Sequence, residues 1–448
     1  MTMAMHETSS TRRPVTAFIA ALIASTLAVA VVPAPRAPAA TKARNMALVA
    51  QIAFPDGTDL ELFSRALRAW RDRDGTLIQV AGGEPDAVRH FAMVGAETSG
   101  ARIIDVTEPE RPYPVSQVQG CSVSQGDIQL TPDGATAAIA FQTFGACRTH
   151  AGAVVTQGAV LVDLKDVYAP RVVGGAPAAA GAHNTTIHPG GRYLYISTSN
   201  QADTEAQVPI YDIADPAAPR LVRVWSAPGN SPHDISFNRS GTRAYMAGIS
   251  QARIVDTSDP ENPVLLSTVI PPGGTIGHDA IASADGTYLF LGDEAAGGNA
   301  YPCPGGAVYV YDVRDEAEPE LLGAAWAGTG PVTVRNEDEP MFPPDWRNAG
   351  CTAHVMSLDP GGRSLTVGWY SAGLRTFSFD GLYGPGGAPQ PGPVLTWGTR
   401  GDRVVETGYL MPDNTRTWAA KRYGPLPGYI FAGDHNLGFY VGKVTGSG

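Results

Sequence analysis

Five segments of the chain share one pattern: an apolar run ends in Asp, a turn follows, and Pro stands seven residues after the Asp. The aspartates are Asp105, Asp163, Asp212, Asp256 and Asp312, and the prolines are Pro112, Pro170, Pro219, Pro263 and Pro319. A fixed spacing repeated five times marks an internal repeat, and a repeat of this length constrains the fold more than any other feature. The spacing itself is that of a turn between strands. Asp caps the turn by accepting backbone N–H groups ahead of it. Pro ends the pairing and opens an outer strand, where a missing donor costs little.

A second pattern precedes the first in each unit. "HDISF" (233–237) reads as a strand, "NRSG" as a hairpin turn, "TRAYMAGI" as a second strand, "ARIVD" as a third and "PVLLSTV" as a fourth. Four short antiparallel strands recurring every 40–55 residues or so define a β-propeller blade. Abundant Gly (52) and Pro (37) suit many tight turns. The expectation is an all-β, seven-bladed propeller forming one domain over 45–445. Its blades are placed at about 56–118, 121–175, 181–227, 231–270, 276–325, 350–397 and 403–442. The last lacks a fourth strand, which 45–54 ("NMALVAQIAF") supplies from the N-terminus, closing the ring and removing free edges. "VRNEDEPMFPPDWRNAG" (334–350) and "GPGGAPQPGP" (384–393) are read as surface insertions.

The third strands "RIIDV", "VLVDL" and "RIVDT" resemble the repeat of the LVIVD-repeat propeller family, over nearly all of the chain after residue 40. The resemblance implies the propeller fold and little about chemistry.

Residues 1–40 have the layout of a secretory signal: Arg12 and Arg13, the uncharged apolar run 15–32, then small residues up to Ala40. Retention of the apolar run as a membrane anchor is the alternative. The protein is therefore expected to be secreted or at the cell surface, where disulfides persist. Cys121, Cys147, Cys303 and Cys351 allow three pairings; the local pairs Cys121–Cys147 and Cys303–Cys351 fit the repeat register best, each tying a loop between second and third strands to a neighbouring connection. A net charge of −11 without a basic cluster argues against a nucleic-acid partner.

Four consecutive blades carry a histidine at the start of the first strand: His183, His233, His278 and His354. Thr58 and Gly126 hold the slot in the first two blades. First strands line the central channel, so these imidazoles share one face. The same face receives Asp293 and Glu294 in one loop and His435 in another. Converging neutral imidazoles suit a transition metal such as Cu, Zn, Fe or Mn. The arrangement is similar in idea to the histidine-lined propellers of the selenium-binding protein/methanethiol oxidase family, whose detailed motifs are absent here. The competing roles are a hydrogen bond from each His to the next blade's carbonyl, or acid–base work without metal. His188, in "IHPGG", reads as surface. No GxSxG, HExxH or P-loop is present.

Two functional expectations follow. One is a monomeric binding module whose loop-rich face docks an extracellular protein or glycan. The other is a metal-dependent hydrolase or oxidase, with His183, His233, His278 and His354 at the metal and Asp293, Glu294 or His435 as a further ligand or base.

Overall fold

The computed structural model describes residues 41–119, 121–122, 125–142, 146–198, 204–271, 276–294, 306–325, 350–390 and 403–446. Residues 1–40, Cys303 and all but the last residue of the 334–350 insertion lie outside them. Seven antiparallel sheets form a seven-bladed β-propeller, and their first strands touch in cyclic order. Those first strands are Gly57–Leu67, Gln125–Leu130, Asn184–Ile187, Pro232–Phe237, Gly277–Ala282, Met356–Leu358 and Thr417–Arg422.

The repeat works as its chemistry requires. Each of the five repeat aspartates accepts the N–H of the residue two positions on (Thr107, Lys165, Ala214, Ser258, Arg314) at 2.8–3.0 Å. The fourth strand then starts one residue after the proline, at Tyr113, Arg171, Arg220, Val264 and Glu320. Middle strands are buried on both faces, as in Thr136–Phe141 and Tyr288–Asp293, because each face packs on a neighbouring blade. Among the described residues this gives seven apolar clusters, one between each pair of adjacent blades.

Closure involves the N-terminus twice. Met46–Ile52 pairs antiparallel with Gly438–Val444 as the fourth strand of the last blade. Thr41–Arg44 pairs with Val405–Pro412. That last strand corrects the boundary read from the repeat. Val405–Pro412 pairs with Leu374–Ser378 and so belongs to the sixth blade, not the seventh. The repeat spacing is broken there, because a short 3-10 turn at Pro385–Gly387 and residues 391–402 stand between the third and fourth strands. A buried ion pair lies under this junction: Arg375 Nη1 is 2.7 Å from Glu406 Oε1, and Arg44 Nη2 is 3.5 Å from Oε2.

Cys121 and Cys147 form a disulfide with Cα atoms 4.2 Å apart, within a small extra sheet beside the second blade. Cys351 is also disulfide-bonded.

Candidate metal centre

The histidine slot is shaped by β-bulges. The register slips between Pro232 and Asp234, between Gly277 and Asp279, and between Thr417 and Ala419. His233, His278 and Trp418 are the extra residues. A bulge re-aims the side chain it carries, and bulges gather at functional rims for that reason. The bulged slot in the second blade holds Gly126, with φ +63 and room for no Cβ: one would lie 2.6 Å from Thr58 Oγ1.

The four histidines meet. Ring centroids run 4.0 Å from His183 to His233, 4.4 Å from His233 to His278 and 3.8 Å from His278 to His354. Trp418 continues the arc, 4.4 Å from His354. His233, His278 and His354 are buried, whereas His183 is partly exposed.

Glu294 completes the set. It is 5% exposed, with Oε2 3.6 Å from His233 Nε2 and Oε1 3.8 Å from His354 Nε2. One ligand atom from each of His233, His278 and Glu294 lies within 4.8 Å of the other two. A direct hydrogen bond would close these gaps to about 2.7–3.2 Å. Donors about 2.1 Å from a tetrahedral ion stand about 3.4 Å apart, so the observed spacing is close to that of ligands sharing an ion. The Nδ1 atoms of His233 and His278 are buried without a hydrogen-bond partner, an arrangement that asks for an explanation.

Second contacts orient the group. His354 Nδ1–H donates to the Trp418 carbonyl at 2.8 Å, which fixes the tautomer and leaves the Nε2 lone pair facing Glu294. The Gln142 amide and His183 Nδ1 are hydrogen-bonded at 2.7 Å. Burial pulls His183 down to about 4 and His233, His278 and His354 well below the ordinary value, so all four are neutral and fit to ligate. Burial also pushes Glu294 up to about 7, against the opposing hydrogen bond from Tyr370.

Blade-to-blade stapling, the competing role for these histidines, is mostly carried by other residues. The position after the slot holds Asp59, Asp127, Asn184, Asp234 and Asp279. Asp59 accepts the Ile128 N–H at 3.4 Å, Asp127 the Thr185 N–H at 2.7 Å and Asp279 the Met356 N–H at 3.0 Å, each from the next blade. His188 is half-buried rather than surface, because its Nε2–H donates to the Gly241 carbonyl of the next blade at 2.9 Å. Of the four channel histidines, His354 bonds the next blade through Trp418, and His233 has a weaker contact with the His278 backbone. Lys421 sits in the same ring, 3.3 Å from Asp59 and 2.9 Å from Glu61. Burial, then neighbouring carboxylates, holds Asp127 and Asp234 well above the carboxylate range.

Two expected participants stand elsewhere. His435 lies beyond Trp418, with Nε2 3.5 Å from Asp56 and 4.0 Å from Glu97, in a shallower group of its own. Asp293 turns to the chain, its Oδ1 accepting the Ile276 N–H. Tyr370, Trp418 and Gln142 join the site without having been foreseen. Trp418 was findable, since "TWAAKR" occupies the slot of "PHDISF" three blades on; Tyr370 lies in a turn with no periodic signal.

No family model matches the chain, and no curated protein does. The β-propeller domain of Myceliophteria thermophila Cps50 (Swd1) is 12% identical, with a TM-score of 0.52 over 89% of this chain and 100% of that one. Kuenenia stuttgartiensis hydrazine synthase is 12% identical, with a TM-score of 0.55 over 78% of this chain and 91% of that one. At such identity the likeness concerns the fold alone.

Proposed function

We propose that the chain is an exported propeller of the LVIVD-repeat type that holds a transition metal at one mouth of its channel and acts as a metal-dependent enzyme. The observation that carries this is the convergence of His233, His278 and Glu294 at ligand-like spacing, with His354 and His183 beside them. Propellers serve binding and catalysis alike, so the reading rests on the site and not on the fold. The set contains imidazole and carboxylate but no thiolate, which suits Cu, Fe, Mn or Zn. Bound there, such an ion supplies Lewis-acid activation of water or substrate, and electron transfer where it is redox-active. Trp418 and the bulges orient the imidazoles, burial keeps them neutral, and His183 faces the side from which a substrate arrives.

Export is supported by the leader-like residues 1–40 and by the Cys121–Cys147 disulfide. Among the described residues no helix is long and apolar enough to cross a membrane. Of the loop 292–306 read as part of the alternative docking face, residues 295–305 lie outside the described residues.

The test is elemental analysis of protein purified without an affinity tag. About one transition-metal ion per chain is expected, and its loss in a folded H233A/H278A variant. A wild-type protein that takes up no such metal, even after loading, refutes the reading.

A further inference from the structure

Glu294, one residue past the strand Tyr288–Asp293, is held from the next blade as well. The Tyr370 hydroxyl donates to Glu294 Oε1 at 2.7 Å, from the turn between the second and third strands of the next blade. Tyr370 is buried and has φ +38, a left-handed backbone that a bulky aromatic rarely adopts. Such a conformation persists only where the surroundings over-determine it, and it gathers at functional sites.

Here the surroundings do so from three sides. The Tyr370 N–H donates to the Thr417 carbonyl at 3.0 Å and the Thr417 N–H donates back at 2.9 Å, tying the turn to the first strand of the last blade. Its ring stands 4.6 Å from His354 and 5.9 Å from Trp418. The Arg416 guanidinium lies over the ring, 5.1 Å from its centroid.

With Oε1 engaged by the hydroxyl, Oε2 is the Glu294 oxygen directed at His233, 3.6 Å away. We infer that Tyr370 is the positioning residue of the metal centre: its hydroxyl pins Glu294 so that one oxygen, Oε2, serves the ion beside His233 and His278. This rests on the metal reading above. It adds that the strained turn at 370 is kept for orienting a ligand. It also leaves one carboxylate among imidazoles a single free oxygen to donate, an arrangement that favours a transition metal over Ca²⁺, which takes six to eight oxygens, often from bidentate carboxylates.

The test titrates Co²⁺ into full-length wild-type, Y370F, E294Q and Y370F/E294Q proteins, following the visible ligand-field bands and checking fold by circular dichroism. Partners that orient a ligand are worth about 10–100-fold in metal affinity. Y370F is expected to weaken Co²⁺ binding by about that factor and to change the band pattern, while far-UV dichroism stays that of the wild type. In the E294Q background, Y370F is expected to add nothing, because the hydroxyl acts through the carboxylate. Wild-type affinity and spectrum in folded Y370F overturn the inference and leave the site standing, as does an undiminished Y370F effect on top of E294Q. A wild-type protein that binds no Co²⁺ removes the site itself and this inference with it.

Discussion

Replacing Asp127 separates two roles that the channel aspartates combine. Asp127 is buried, and its Oδ2 accepts the Thr185 N–H at 2.7 Å across a blade boundary. Asp127→Ala leaves that buried N–H without an acceptor, which costs about 1–3 kcal/mol. Asp127→Asn keeps an amide oxygen in place and removes only the charge. Burial, then the charges of Asp59 and Asp234, raises the Asp127 carboxyl well above the ordinary 3.8. A carboxyl with a raised folded-state pKa gives a stability term that is whole below the unfolded value and lost as pH rises through the folded value. Asn has nothing to lose. Asp127→Asn is therefore expected to match the wild type near pH 4 and to gain on it toward pH 8, by about 1.4 kcal/mol per unit of displacement. The Ala variant should lie about 1–3 kcal/mol below the Asn variant at every pH. Urea unfolding followed by tryptophan fluorescence from pH 4 to 9 reads both differences. Equal stability of the Ala and Asn variants would refute the staple, and an Asn variant weaker than wild type at pH 8 would refute the electrostatics.

Three further sets of substitutions probe the frame. Glu406→Ala strands the buried Arg375 guanidinium and is expected to cost about 3–5 kcal/mol in chemical denaturation, more than any exposed pair would. Gly126→Ala forces a side chain into left-handed backbone at a cost of about 1–2 kcal/mol, plus its clash with Thr58 Oγ1. Thr58→Ala removes the clash together with the Thr58 hydroxyl's hydrogen bond to the Gly126 carbonyl at 3.0 Å, so thermal melts should show Gly126→Ala costing less in the Thr58→Ala background than in the wild type. Replacing Cys121 and Cys147 by Ser opens a link across a sequence separation of 26 and is expected to lower unfolding free energy by about 3–4 kcal/mol.

Much of the fold was readable because its determinants are local. Asp105 and its four counterparts cap turns through their own next residues, and the prolines start the outer strands they precede. Legibility failed where pairing depends on distant chain. Nothing near Val405 says that it joins Leu374–Ser378, and nothing near Thr41 says that a fifth strand will form. The histidines could be assigned to one face from the repeat register alone. That His233 and His278 reach their neighbours follows from bulges, which periodicity cannot reveal, since the extra residue looks like any other. His188 shows the reverse: its hairpin reads as surface, but the neighbouring blade brings the Gly241 carbonyl within reach. Glu294 was one of three candidates in its vicinity, and only the three-dimensional path separates it from Asp293 and His435. Tyr370 left no trace in the pattern, because a strained turn residue is specified by its neighbours in space.

X-ray absorption on protein loaded with one equivalent of Cu²⁺ or Zn²⁺ addresses the metal centre most directly. The expected spectrum has a shell of nitrogen and oxygen at about 2.0–2.1 Å, with outer-shell scattering from at least three imidazoles that falls in H233A/H278A. A shell of oxygen alone, or a spectrum unchanged by that double substitution, would contradict a metal held by His233, His278, His354 and Glu294.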